Sequence, residues 1–487
     1  MSAASSASPS PALRVIGPLS SRSGRTFERL GSLVSPALGT DAADRPTFYV
    51  ETYGCEMNQY DSEFIASRFL DEGWAPASSP ETADVLLFNT CSVRAGAEER
   101  VRARVASFSG VKARRPKMIL GIVGCMAQRL GEELVDDRGL VDLVAGTETY
   151  RELPSLVKER REQGKGSLVA TPEDATRTYA IERPVAPKTS PVAFLTIQQG
   201  CDKFCTFCIV PFTRGRERSK PCADVVAEAR RLVEGGAKQI TLLGQNVNSY
   251  RDGDVSFAGL LRALDDVDGL ERLHFTSSYP RDMTEDVFRA IAECRAPIEF
   301  LHFPVQSGSD AVLKRMKRRH TVDWYLRKVD EARRIVPDLQ LSTDLIVGFP
   351  GETEADFRET LRLVERVRYA ECFMYRYSPR EGTPAIRLAD SLPEEEKARR
   401  LEELIALQRS IVRDVLEENL GRTMEVLVEG PSSRNPRETF GRTRNRFMVV
   451  LPEGAAEPGD LVPVVLAERS GSTYRGIPVE WGGTWAS

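Results

Sequence analysis

The sequence contains no run of about 18 apolar residues, so no segment is expected to span a membrane. It also lacks an excess of either charge, with 67 Lys plus Arg against 71 Asp plus Glu and a formal charge of −4. Bulk charge therefore gives no attraction for nucleic acid, and any RNA contact needs a local basic patch. A regular, even set of cysteines is missing as well. The nine cysteines among 487 residues are odd in number and partly clustered. That pattern excludes the disulfide framework of a small secreted chain and points to metal or catalytic use in a reducing compartment. Histidine is scarce, and His274, His302 and His320 each read as structural rather than as ligands. Residues 1–45 nearly lack acids: Glu28 is the only one before Asp41, beside Arg14, Arg22, Arg25 and Arg29. So biased a stretch buries too little apolar surface to fold alone and is expected to be a disordered extension. An Arg-bearing, acid-poor organellar transit segment is the alternative, and a cytoplasmic location is the expectation.

What is present is organised in blocks. A chain of this length exceeds what one hydrophobic core supports, so several domains are expected. From Phe48 onward, short apolar runs alternate with helical patterns: Phe48–Gly54, Asp84–Thr90, Met118–Gly124 and Val141–Val144, with helices over 62–72 and 95–108. This alternation predicts an open parallel βα sheet over 46–162. Residues 163–186 are polar and proline-bearing and read as a linker. Over 187–419 the apolar strands Phe194–Gln198, Gln239–Leu243, Arg272–Thr276, Glu299–Val305, Leu341–Val347 and Cys372–Tyr377 alternate with helices. Six such units make a partial (β/α)6 barrel, with its active site at the C-terminal ends of the strands. A charged helix over 394–419 leads to a small all-β module at 422–485.

Three cysteines, Cys201, Cys205 and Cys208, fall within eight residues directly after the first barrel strand. Structural zinc usually takes four ligands, whereas a cubane iron–sulfur cluster with three leaves one iron open. The C-x3-C-x2-C spacing at this place resembles the radical S-adenosylmethionine (SAM) superfamily. The resemblance implies that these cysteines hold a [4Fe–4S] cluster that binds SAM and cleaves it to a 5′-deoxyadenosyl radical. By the same analogy Gly244, Gln245, Gln306, Ser307, Gly348 and Glu352, all at strand ends, line the SAM pocket. Ordinary βα-turn chemistry is the other reading of those six positions.

Cys55, Cys91 and Cys125 are separated by 35 and 33 residues and share no local motif. Each nevertheless follows an expected strand at once, where ligands of an open parallel sheet collect. This second trio makes the chain resemble the methylthiotransferases of the radical SAM superfamily. The strings TYGCEMNQYDSE, NTCSVR, CDKFCTFCIVPFTRGRERS, GQNVNSY and STDLIVGFPGET carry the likeness. They match the branch that makes the 2-methylthio-N(6)-dimethylallyl form of adenosine in tRNA; Glu56 and Lys220 depart from its usual Gln and Arg. The family implies a second [4Fe–4S] cluster on Cys55, Cys91 and Cys125, two SAM molecules per turnover and methylthio insertion at carbon 2 of the adenosine beside the anticodon. It also implies a tRNA anticodon stem-loop as partner, a low-potential electron donor and a sulfur donor, and we expect a monomer. Cys222, Cys294 and Cys372 are left without a role.

The C-terminal module resembles a TRAM RNA-binding barrel, and Arg442, Arg444 and Arg446 beside Phe447 are its expected RNA contacts. The basic string 314–319 and Arg214, Arg216 and Arg218 are further candidates for phosphate contact. Two alternatives remain open. One is the branch acting on threonylcarbamoyl-adenosine in tRNA or on a ribosomal protein. The other is a non-catalytic iron–sulfur electron carrier or tRNA-binding adaptor.

Overall fold

In the N-terminal domain, successive residues of one strand go to opposite faces, and both faces are apolar. Val85 and Leu87 enter one buried cluster while Leu86 and Phe88 enter the other. A strand buried on both sides belongs to a parallel sheet covered by helices on each face. The computed structural model, which describes residues 45–92, 95–135, 139–164, 166–172, 190–389 and 392–480, has that arrangement. The sheet runs, in spatial order, Ala75–Pro76, Thr47–Tyr53, Val85–Thr90, Ile119–Gly124, Leu143–Ala145 and Leu168–Ala170, and every pairing is parallel. Leu168–Ala170 corrects the expectation of a linker from residue 163: the backbone of Leu143–Ala145 supplies an unfilled edge, and this short apolar run completes it. Most of the expected linker and residues 1–44 lie outside the described residues. The first helix starts at Glu56 rather than near Ser62. Cys55 and Asn58 form a reciprocal cap around its start, which the polar run after Cys55 disguised.

The central domain contains the expected six parallel strands. Val192–Thr196, Gln239–Leu243 and Arg272–Phe275 pair side by side, as do Phe300–His302, Gln340–Val347 and Glu371–Arg376. Backbone bonds of Leu273 with Ala296 and Ile298 join the two triplets, so chain order is spatial order around an open barrel. The 24-residue helix Glu394–Glu417 packs along this domain. Its buried Arg400 pairs with Glu352 at 2.8 Å, and Tyr474 bonds the Leu416 carbonyl at 2.7 Å. One apolar core therefore continues from the barrel into the C-terminal module. That module is a closed barrel of Thr423–Pro431, Thr439–Thr443, Met448–Leu451, Leu461–Ser470 and Thr473–Pro478. Two of its strands, Thr439–Thr443 and Thr473–Pro478, carry too little apolar alternation to be seen in the sequence. Among the described residues no helix is long and apolar enough to cross a membrane.

Candidate functional site

Register is what gathers the scattered cysteines. Tyr53 lies opposite Thr90, and Thr90 opposite Gly124, so the three adjacent strands end together. Cys55, Cys91 and Cys125 follow those ends by two, one and one residues. Neighbouring strands stand about 4.8 Å apart, a spacing that brings residues at their tips to one site. Cys91 N–H donates to the Tyr53 carbonyl at 2.8 Å. Beneath the trio lies a buried amide network in which Asn89 donates to Ser62 Oγ and the Asn58 carbonyl, both at 2.8 Å. Gly124 has φ +98°, and a Cβ there would stand 2.5 Å from Asn89 Oδ1, so only glycine allows the turn into Cys125.

The dense trio comes together through its loop. Cys208 N–H bonds the Cys205 carbonyl at 3.0 Å, and Gly200 turns the chain in at φ +75°. Burial, reinforced by the neighbouring thiols, pushes Cys201 up to about 11 and Cys208 up to about 12. Burial also raises Cys125, opposed by the guanidinium of Arg214. Among the described residues no group of three or more His, Cys, Asp or Glu is closed around a metal position as it stands. Several thiols bond neighbours instead: Arg318 Nη1 donates to Cys205 Sγ at 3.5 Å, Arg214 Nε to Cys125 Sγ at 3.0 Å, and Cys55 Sγ to Asn58 Oδ1 at 3.4 Å. The donor set still fits an iron–sulfur cluster at each site. Thiols are the ligands such clusters take, a coordinating thiol is deprotonated outright, and hydrogen bonds to sulfur tune the potential.

The segments that carry Cys125 and Cys208 pack against each other. The short helix Val210–Thr213, two residues past Cys208, packs on the helix Cys125–Leu130. Thr147 Oγ1 bonds the Thr213 carbonyl at 2.9 Å, and the buried Arg214 pairs with the buried Asp61 across the same seam. Farther along, Tyr60, Glu228 and Lys220 form a second buried bridge, with Lys220 Nζ 2.7 Å from Glu228 Oε2. Lysine at 220 is thus satisfied where the family resemblance led us to expect arginine.

Around the first three strand ends, several buried polar atoms have no hydrogen-bond partner among the described residues. They include both side-chain polar atoms of Gln199, Asn246 Oδ1, Ser278 Oγ and the Tyr279 hydroxyl. Buried polar groups are ordinarily paired, so this set fits a polar small molecule such as SAM. The sequence reading missed these four residues, though their place at strand ends was the signal for them. Of the positions it named, Gln245 Oε1 accepts from Gly200 N–H at 2.6 Å, tying the second strand end to the cysteine loop. Gly244 sits close beside Gln198, and a Cβ there would stand 2.8 Å from Gln198 Oε1. Gln306 is buried in the left-handed region at φ +78°. Ser307, Gly348 and Glu352 are engaged internally: Ser307 Oγ accepts from Ser309 N–H, and Glu352 accepts from both Gly348 N–H and Arg400.

The arginines expected to meet RNA are half-buried and paired within the protein. Arg444 Nε bonds Glu299 at 2.9 Å and its Nη2 the Pro297 carbonyl at 2.6 Å. Arg446 lies 3.1 Å from His274 Nδ1 and over the Phe300 ring, and Arg442 pairs with Glu429. Arg444 and Arg446 thus clamp the C-terminal barrel to the start of the third and fourth central strands. The other two histidines are structural too: His302 bonds Ser342 Oγ at 2.8 Å, and His320 stacks against Tyr325. In the string 314–319, Arg318 is buried against Tyr279, whereas Lys314, Lys317 and Arg319 are exposed.

Comparison with known proteins agrees with this geometry. Residues 195–364 match the radical SAM superfamily, 47–146 match the uncharacterized protein family UPF0004, and 417–471 match the TRAM domain. The tRNA-2-methylthio-N(6)-dimethylallyladenosine synthase of Ruegeria pomeroyi is 42% identical over 440 residues, covering 89% of this chain and 99% of that one. The synthase of the same name from Chloroherpeton thalassium is 43% identical over 433 residues, covering 88% and 95%. Among solved structures, the radical S-adenosylmethionine methyltransferase TsrM from Kitasatospora setae shares the fold at a TM-score of 0.51 and 14% identity, over 70% of this chain and 77% of that one. With this identity sustained along nearly the whole length of such relatives, the chain belongs to the tRNA-2-methylthio-N(6)-dimethylallyladenosine synthase family of radical SAM enzymes.

Proposed function

We propose that this chain inserts a methylthio group at carbon 2 of the prenylated adenosine beside the anticodon of tRNA. Two [4Fe–4S] clusters serve the reaction, one on Cys201, Cys205 and Cys208 and one on Cys55, Cys91 and Cys125, with two SAM molecules used per turnover. When bound, these groups supply reductive SAM cleavage at the first site and the sulfur and methyl at the second. The observation that supports the reading is the contact of Arg214, just past the dense cysteine loop, with Cys125 of the scattered trio. A reaction that removes hydrogen from a carbon and then delivers sulfur to it needs both sites within reach of one substrate atom.

The chain's own residues hold and orient. Gly244, Gln245 and Gln306, with Gln199, Asn246, Ser278 and Tyr279, line the SAM pocket. Arg214 and Arg318 place positive charge on the sulfur ligands, and the amide network under Cys91 keeps the second site rigid. Ser307, Gly348 and Glu352 border the pocket and shape its strand-end turns. Residues 46–162, 187–419 and 422–485 act as the sulfur-bearing, radical-generating and RNA-associated units. A tRNA anticodon stem-loop is the substrate partner, a low-potential electron donor and a sulfur donor complete the reaction, and the enzyme works as a monomer in the cytoplasm.

The test is mass spectrometry of tRNA nucleosides from a strain lacking this gene, with and without the gene restored. Loss of the methylthio derivative and accumulation of dimethylallyladenosine is the expected result. Unchanged methylthio-dimethylallyladenosine sinks the substrate assignment, and loss of the threonylcarbamoyl derivative instead moves it to the neighbouring branch. Anaerobic reconstitution should give about eight irons per chain.

A further inference from the structure

Large apolar side chains are rarely left in water without a reason when they gather in one place. Among the described residues, six large hydrophobics are exposed, and four belong to two segments that meet at the dense cysteine loop: Phe204 at 41%, Phe212 at 52%, Ile386 at 48% and Leu388 at 36%. Phe204 lies between Cys201 and Cys205, and Phe212 four residues beyond Cys208. Their rings form an edge-to-face pair with centroids 6.3 Å apart. The 382–388 segment joins them through the Ala385 N–H bond to the Thr206 carbonyl at 2.8 Å, and Gly382 faces Ile209. Ala385 and Phe207 share one apolar cluster beneath, so the platform has a rigid underside.

Two features separate this patch from incidental exposure. Phe204 has φ +48°, a left-handed conformation unusual for an aromatic residue. Strain of that kind is retained where a side chain must be presented. Two exposed arginines also stand in these segments: Arg216, 78% exposed and paired with Asp202 at 2.7 Å, and Arg387 beside Ile386. Aromatic faces rimmed by guanidinium groups suit unpaired nucleotides, whose bases stack while their phosphates meet the cations. Meanwhile Arg444 and Arg446 are committed to the seam with the central domain.

We propose that Phe204, Phe212, Ile386 and Leu388, with Arg216 and Arg387, form the platform on which unstacked anticodon-loop nucleotides flanking the reacting adenosine are held. The proposal rests on the tRNA reading above. A base delivered to the cysteine loop must have its neighbours on the surface immediately around that loop, and this is the apolar surface there.

The test uses the full-length, cluster-loaded enzyme and a prenylated anticodon stem-loop RNA. Phe212→Ala should weaken binding about ten-fold, the loss of one stacked base, and Phe212→Tyr should restore it. Arg216→Ala should flatten the dependence of binding on salt. Iron content should stay at the wild-type level. Binding by Phe212→Ala within two-fold of wild type, while wild type still makes the methylthio product, overturns the platform and leaves the function standing. If wild type neither binds this RNA nor makes product, both fall. If Phe212→Ala instead dissociates a wild-type dimer seen by light scattering, the patch is a self-contact and the platform is overturned.

Discussion

Arg214 Nε donates a 3.0 Å hydrogen bond to Cys125 Sγ, linking a residue just past the dense cysteine loop to a cysteine of the N-terminal domain's trio. The same guanidinium is paired with buried Asp61, so one side chain serves both the domain seam and the sulfur. Removing one partner of a buried pair leaves a stranded charge that destabilises by about 3–5 kcal/mol. Arg214→Ala should therefore lower the melting temperature markedly, and Asp61→Ala added to it should recover part of the loss. Iron retained per chain should fall in the single variant; retention of full iron and full stability would show that the contact is idle.

Substitutions of the cysteines separate the two sites. Cys205→Ala should abolish formation of 5′-deoxyadenosine from SAM. Cys91→Ala should spare that cleavage and block methylthio formation. Methylthio product from Cys91→Ala would end the division of labour between the trios.

Arg444→Ala tests what the C-terminal arginines do. Its bonds to Glu299 and to the Arg295 and Pro297 carbonyls hold the C-terminal barrel on the central domain. The expected outcome is faster limited proteolysis at that junction with the salt dependence of RNA binding unchanged. A changed salt slope with an unchanged proteolysis pattern would make Arg444 a phosphate contact instead.

His320 should make the protein acid-sensitive. Burial, aided by Arg318 and Arg281, lowers its pKa to about 3. Below its ordinary value the unfolded chain takes up a proton that the folded one refuses, so stability is full at neutral pH and falls as pH drops toward 3. The slope is about 1.4 kcal/mol per pH unit in that window. Urea unfolding of His320→Gln between pH 6.5 and 4.5 should show a shallower fall than wild type; identical slopes would contradict the assignment.

The sequence by itself determined the three-part architecture, the six strands of the central domain and both cysteine trios. These are local signals: a period of two or 3.6, a tight C-x3-C-x2-C, and cysteines placed directly after apolar runs. The shared strand-end position of Cys55, Cys91 and Cys125 was readable too, because each directly follows an apolar run. Tertiary structure decided the rest. The strand Leu168–Ala170 exists only because an edge was waiting for it. The arginines at 442–446 look alike as a string, yet Glu429, Glu299 and His274, the latter two more than 140 residues away in sequence, claim them one by one. Arg214, a phosphate candidate by composition, is buried against a cysteine 89 positions earlier. Charge along a sequence says how many cations there are; which remain free is settled by the acids, carbonyls and thiols that folding brings beside them.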